Sequence, residues 1–391
     1  MDKVVFAILT SAMFISMMGF GFIMPLLPIY AQTMGASGIE LGLISAASSF
    51  SNLIFLPIMG TLSDRFDRKI FLCVGLIILS LVMFGFNWAT TTTQLIMLRA
   101  LQGFAMSMHL PVAQAYLGDL TPHGEEGRWM GYFNAILYAG VGAGPLFGGV
   151  MNDLFGISSV FLVAGAAILI SFIATLLFLK EGKKKEAHQR PHIPFLSLGR
   201  SNILKAIIVL QIGAGIMTGV SMTFLPILAS AGLGLSTTLI GIILAVRTPL
   251  SMLQTISGRF ADTHNRKIQI AIGTLIMAAS MILITLCSNF RQLLMAQSLL
   301  AFGVVMYQPA ASAYVVEEGR SFGMGASMAL FLMAMQGGAS IGPIVIGRIM
   351  DTYNTSVGFR SAALFNTLGL GFFLWMMRRV SGNKQPVAAQ V

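Results

Sequence analysis

The sequence predicts an all-α integral membrane protein, with twelve transmembrane helices arranged as two pseudo-symmetric six-helix bundles. Three observations carry this. First, 56% of the 391 residues are hydrophobic, 10% are charged and mean hydropathy is +0.82, which is more apolar surface than a soluble core of this size needs. Second, the apolar residues fall in twelve runs of roughly 20 residues, the length with which a helix crosses a bilayer. Only helices and closed barrels satisfy their backbone in lipid, and these runs are too long and uniformly apolar for barrel strands. Third, the polar hairpin Gly60-Thr61-Leu62-Ser63-Asp64-Arg65-Phe66-Asp67-Arg68-Lys69 recurs as Gly258-Arg259-Phe260-Ala261-Asp262-Thr263-His264-Asn265-Arg266-Lys267, an offset of 198 residues.

That offset holds elsewhere without a gap. Gly21 maps to Gly219, Pro28 to Pro226, Pro111 to Pro309, Gly144-Pro145 to Gly342-Pro343, and Asp153 to Asp351. A single register across so many kinks and turns marks a duplication. It divides the chain into a first bundle at 1–180, a linker at 181–201 and a second bundle with a short tail at 202–391. Parallel repeats of this kind build many secondary transporters, with the substrate site near mid-membrane between the halves.

The expected spans are 4–31, 39–59, 70–89, 94–117, 129–151, 157–180, 202–230, 236–257, 268–287, 291–315, 323–347 and 357–378. Both termini are expected in the cytoplasm. That orientation places 19 of the 24 basic residues on the cytoplasmic side, as the positive-inside rule requires. The net charge of +10 is then topology and leaflet attraction rather than a nucleic-acid face. Cys73 and Cys287 have no metal-ligand spacing and read as packing residues. The first apolar run is too long for a cleavable signal, lacks a basic leader and lies inside the repeat.

Taken in order, the first span carries Gly19, Gly21, Pro25 and Pro28, and its repeat mate keeps Gly219 and Pro226. Both are expected to bend. After the second span comes the charged hairpin, where Gly60 makes the turn and Asp64 sits among Arg65, Arg68 and Lys69. Asp119 ends the fourth span on the same side. A carboxylate–guanidinium network there is expected to latch one closure state, echoed by Gly258, Asp262, Arg266 and Lys267.

The fourth span holds Arg99, Gln102, Gly103 and His109. His109 offers either a proton carrier or a hydrogen bond across a cavity. The fifth span contains Gly140, Gly142, Gly144, Pro145, Gly148 and Gly149, whose spacing lets backbones approach closely. The linker is polar and basic. In the eighth span Arg247 lies near mid-membrane, where a cation is costly and faces a cavity or partner. Tyr307 and Gln308, in the tenth, join Arg247, Arg99, His109 and Gln102 as candidates for the substrate and proton pathway.

These residues resemble the major facilitator superfamily. Gly60, Asp64, Arg65, Arg68 and Lys69 are similar to its loop 2–3 signature. Arg99, Gln102 and Gly103 resemble its helix 4 signature. Gly140, Gly144, Pro145, Gly148 and Gly149 resemble the helix 5 signature of its antiporter branch, and Pro25 and Pro28 fit the twelve-helix drug:proton antiporters. The resemblance implies that helices 1, 4, 7 and 10 line the cavity, that the halves rock, and that the helix 4 arginine assists proton coupling. One departure stands out: all fourteen acids read as loop or span-end residues, whereas many drug:proton antiporters carry a carboxylate in the cavity.

The expected function is therefore a proton-coupled antiporter exporting amphipathic small molecules, in a bacterial inner membrane. It needs no cofactor and works as a monomer, with the proton, a small molecule and the lipid bilayer as its partners. The 27 methionines suit a surface that repacks around varied ligands. The alternative substrate is an organic anion held by Arg247 and Arg99. A non-transporting receptor or scaffold is disfavoured by gating loops in both halves. No nucleophile–base pair, metal cluster or phosphate loop points to an enzyme.

Overall fold

In a computed structural model the residues described are 3–121, 125–179, 201–322 and 324–382. The side chains of some helical residues, Asp64 and Asp262 among them, lie outside this description, as does nearly all of the 181–201 linker. The described residues form helices and no strand. The first half contains α1 (Lys3–Thr33), α2 (Gly38–Arg65), α3 (Arg68–Trp88), α4 (Thr92–Leu120), α5 (Glu126–Phe155) and α6 (Ile157–Phe178). The second contains α7 (Asn202–Ile227), α8 (Thr237–Ala245), α9 (Arg247–Ser251), α10 (Gln254–Thr263), α11 (Arg266–Ile284), α12 (Phe290–Phe322), α13 (Met324–Thr352) and α14 (Thr355–Gly382).

Helix starts follow from local chemistry. Ser37 and Glu40 form a reciprocal capping box at α2, and Thr91 and Gln94 another at α4. Each satisfies backbone N–H groups that have no partner within the helix. Asp67 caps α3 through the Lys69 N–H at 2.9 Å, and its repeat mate Asn265 caps α11 through the Lys267 N–H at 3.0 Å. The duplication therefore extends to the caps. Gly156, the sole link between α5 and α6, has φ +78°, a backbone that a side chain would strain.

The eighth expected span is not continuous, which corrects the sequence reading. α8 ends at Ala245, α9 follows as Arg247–Ser251, and the chain then bends by 44° between Ser251 and Gln254, before α10. Pro249 gives the reason for the interruption at Val246, between α8 and α9. It has no N–H for the Ala245 carbonyl, and its ring clashes with that same carbonyl. Among the described residues, eleven helices are long and apolar enough to cross a membrane, and twelve if the bent segment is one span.

Within each half the helices pack on one another, and the halves meet where α2 lies on α13 and α5 on α8. Glycine sets how close they come. A Cβ added at Gly144 would lie 2.5 Å from the Gly21 Cα of α1. Gly140 and Gly148 likewise abut Phe14 and Phe22 of α1. The next face of α5 meets the other half, where a Cβ at Gly149 would lie 2.3 Å from the Thr237 carbonyl and one at Gly142 would lie 2.2 Å from Thr248 Oγ1. α13 does the same, with Gly338 and Gly342 against α7 and Gly347 against Gly38 of α2.

These contacts seal the face that carries the starts of α2 and α8. Toward the opposite end of α2, Gly60 does not make the turn as expected: the helix runs on to Arg65, the chain turns at Phe66 and Asp67, and nothing lies within 4 Å of a Cβ added at Gly60. Among the described residues, the close contacts between the halves gather toward that face, and none is made at Gly60 near the charged hairpin. The lipid-facing surface is apolar, with Ile170 64% exposed, as expected where the bilayer is the solvent.

The glycine contacts make a steric prediction. Gly144→Val should cost ~3 kcal/mol or more by overpacking against the α1 backbone, seen as a clear drop in melting temperature in detergent. Gly60→Ala should leave the melting temperature unchanged or slightly higher. Equal melting temperatures for Gly144→Val and wild type would show that α1 and α5 can part at no cost.

Candidate functional site

A cavity of about 230 Å³ lies between the halves, just beneath the sealed face, and is bounded by α1, α2, α4, α7 and α13. Phe20, Met24, Met222 and Met335 give it apolar walls. Ser45 and Thr223 line it as well, and the Thr223 hydroxyl donates to Ser45 Oγ at 2.8 Å, tying α7 to α2 across the interface. No carboxylate lines it among the described residues.

Arg99 is the cavity's charged group. It lies seven residues into α4, so ~10 Å below the helix start at 1.5 Å per residue. Its Nε donates to the Ile44 carbonyl at 3.1 Å and its Nη1 to Gln102 Oε1 at 2.7 Å. Gln102 is fully buried and holds its oxygen on the guanidinium. Two of the candidate pathway residues are thus joined by a direct bond. A cation so deep stays in place because carbonyl oxygens solvate it, and its remaining N–H groups are left for the cavity.

Arg247 is half-buried at the break between α8 and α9. It is ten residues from the start of α8, ~15 Å deep, about half of a ~30 Å core. Among the described residues it makes no hydrogen bond and no ion pair. Neither Gln254 nor Gln308, the amides that could reach it from α10 and α12, bonds to it among the described residues. Gln308 is half-buried on α12.

His109 does not line the described cavity, contrary to one of its two expected roles. It is fully buried within the first half, against Gly75 of α3, and neither ring nitrogen has a hydrogen-bond partner. Its repeat mate is Tyr307, also fully buried, whose hydroxyl donates to Gln211 Oε1 of α7. The repeat mate of Arg99 is Gln297, which accepts from the Ser221 hydroxyl at 3.2 Å. Tyr307 was already a candidate; applying the 198-residue offset to Arg99 would have found Gln297 as well. Ser45 and Thr223 left no signal in the sequence, because small hydroxyls in apolar runs are common.

At the hairpin face the two halves carry matching ion pairs. Arg68 Nη1 lies 3.1 Å from Asp119 Oδ2, and Arg266 Nη1 lies 3.0 Å from Glu317 Oε2. Asp119 maps to Glu317 under the repeat, as Arg68 does to Arg266. Each pair joins helices of one half, α3 to α4 and α11 to α12. These two pairs brace each half from within, while the expected latch centres on Asp64 and Asp262. Arg65 is exposed, Lys69 and Lys267 half-buried, and Gly258 has only Pro309 of its own half within 4 Å of an added Cβ. The side chains of Asp64 and Asp262 lie outside the described residues. The glycines of α5, including Gly140, Gly144, Gly148 and Gly149, pack helices as described, and Gly241 of α8 fits against the Pro145 carbonyl.

The two arginines should answer differently to truncation. Arg99→Ala strands the buried Gln102 Oε1 and should lower stability by ~1–3 kcal/mol. Arg247→Ala strands nothing among the described residues and removes a buried charge, so its melting temperature in detergent should match or exceed wild type. A large loss of stability in Arg247→Ala would make it a structural hub.

Comparisons with known proteins agree with this geometry. A family model described as Major Facilitator Superfamily matches residues 9–247 and 207–390. An uncharacterised MFS-type transporter of Methanocaldococcus jannaschii is 26% identical over 378 residues, covering 94% of this chain and 96% of that one. The quinolone resistance protein NorA of Staphylococcus aureus is 32% identical over 184 residues, which spans 47% of each chain. Among solved structures, an inward-facing, unoccupied bacterial homologue of the human lysosomal transporter Spinster superposes with a TM-score of 0.82 at 14% identity, covering 99% of both chains. The nucleoside transporter NupG superposes with a TM-score of 0.82 at 14% identity, covering 99% of this chain and 100% of that one.

Proposed function

The chain belongs to the major facilitator superfamily and is an integral membrane transporter rather than an enzyme, and from that premise we propose that it is a proton-coupled antiporter exporting amphipathic small molecules by alternating access. The observation that carries this reading is the cavity between the halves, sealed at one face and walled by Phe20 and the methionines Met24, Met222 and Met335 around the Arg99 guanidinium. Thioether and aromatic walls adapt to varied apolar bodies, and Arg99 gives a polar group something to meet. The similarity of half the chain to a quinolone resistance protein supports export.

The protein is placed in the cytoplasmic membrane as a monomer, with both termini inside and the charged hairpins on the cytoplasmic face. The sealed face is then the outer one. In the outward-open state the hairpin face closes, and Asp64 with Arg65, Arg68 and Lys69 supplies the gate there, mirrored by Asp262, Arg266 and Lys267. His109 is the candidate proton carrier. It is buried with two unpartnered nitrogens, so a proton reaches it only when the first half rearranges. Tyr307 and Gln308 occupy the corresponding stretch of the second half.

A second reading is favoured by one feature: the cavity presents a cation and no carboxylate among the described residues, and Arg247 has no protein partner there. Both suit an amphipathic anion, whose carboxylate a planar guanidinium can hold with two parallel bonds.

Proteoliposomes with an imposed pH gradient and a panel of lipophilic cations, neutral amphiphiles and organic anions separate the readings. The leading one expects gradient-driven efflux of neutral amphiphiles. His109→Ala should then lose the gradient dependence while passive exchange survives, and Asp64→Asn should slow turnover with little change in binding. The second reading expects anion transport that falls roughly tenfold or more in Arg247→Lys and disappears in Arg247→Ala. Transport unaffected by the gradient in wild type would remove proton coupling.

A further inference from the structure

The sealed face is held by two carboxylates in equivalent positions. Asp153 lies in the last turn of α5, and Asp351 in the last turn of α13. Asp153 Oδ1 accepts the Thr237 N–H at 3.1 Å and its Oδ2 accepts the Thr238 N–H at 2.8 Å. Asp351 Oδ1 accepts the Gly38 N–H at 2.6 Å and its Oδ2 accepts the Ile39 N–H at 3.0 Å. In both cases the carboxylate takes the first two free N–H groups of a helix in the opposite half. The third free N–H, of Leu239 or Glu40, goes to the helix's own serine, Ser236 at 3.4 Å or Ser37 at 3.3 Å.

One turn before each aspartate is a glycine that lets the helices touch. A Cβ at Gly149 would lie 2.3 Å from the Thr237 carbonyl, and one at Gly347 would lie 2.1 Å from the Gly38 carbonyl. The unit is thus glycine, three residues, aspartate, present once per half at the repeat offset. Among the described residues neither aspartate forms an ion pair. Their stabilisation comes from charge-assisted bonds to helix N-termini, where the macrodipole favours an anion. A helix can be capped from within its own half, as the two serines show. Here two helices are capped from across the interface, on the face that must part for the opposite state to form.

We infer that Asp153 and Asp351 are the positioning residues of the sealed face, a matched pair of clamps whose release accompanies opening on that side. Both are solvent-exposed, so water replaces the lost bonds as the halves separate and the clamp stays reversible. Thr237 strengthens one clamp, its hydroxyl lying 2.7 Å from Asp153 Oδ1 and 2.9 Å from the Gly149 carbonyl. The inference rests on the alternating-access part of the function proposed above, and on neither its substrate nor its proton.

The test uses the full chain in lipid nanodiscs, with Cys73 and Cys287 replaced by serine and spin labels at Thr93 and Arg291. These positions are exposed at the starts of α4 and α12, and they correspond under the repeat. Electron–electron distance measurement then reads the separation of the halves at the sealed face. Asp153→Asn and Asp351→Asn should each shift the sealed-to-open ratio roughly tenfold toward open, the scale of a lost charged hydrogen bond. The double variant should shift it further. Ser37→Ala and Ser236→Ala weaken the same two helix starts without touching the interface, and should leave the distances unchanged. An unchanged distribution in the folded double variant overturns the inference, and so does an equal shift in the serine variants, which would reduce the aspartates to helix caps. Transport that ignores a pH gradient would remove the coupling proposed above and leave these distances as they are.

Discussion

Backbone-to-backbone contact at glycine is the constraint on which the rest of the structure depends. α5 and α13 each serve two masters, their own half and the other. Gly144 against Gly21 fixes α5 to α1, while Gly149 against Thr237 fixes the same helix to α8. α13 repeats this with Gly342 against Ile216 and Gly347 against Gly38. In lipid there is little hydrophobic force between helices, so close packing and short-range polar contacts must supply the adhesion. A side chain at any of these positions separates the backbones, and the bonds of Asp153 and Asp351 become unreachable.

Charge placement follows from the same solvent. Four of the described carboxylates sit at helix ends on an arginine or on the start of another helix. Asp119 and Glu317 brace the hairpin face, and Asp153 and Asp351 the sealed one. The interior keeps two cations. Arg99 is solvated by the Ile44 carbonyl and Gln102, so its position is fixed before any ligand arrives. Arg247 stands where Pro249 has broken a span. The first is held in place before any ligand arrives; the second lies outside the described cavity and has no partner among the described residues.

Much of this was legible in residue order. Twelve apolar runs and the 198-residue register are local or periodic, and the bilayer requirement turns each run into a helix whatever its neighbours do. Arg99 with Gln102 was legible because three residues on a helix share a face. The break at Pro249 was legible in principle, since the effect of proline on the preceding turn is local. The serine and asparagine caps are equally local.

Other features needed the tertiary structure, because they depend on which helices meet and at what depth. The Arg68 and Arg266 pairs might have crossed the halves or braced each one, and only the packing of α3 on α4 and α11 on α12 chose the brace. His109 lies on a helix whose neighbours bury it completely, a fact set by Gly75 on α3. Asp153 and Asp351 could be seen to correspond, yet their role depends on helix starts 84 and 313 residues away in sequence. The sequence by itself determined the helices, their number and their duplication, because the bilayer forces each run to satisfy its own backbone. The tertiary structure alone decided which face is sealed and what holds it, because those bonds form between groups that only the packing of the two halves brings within reach.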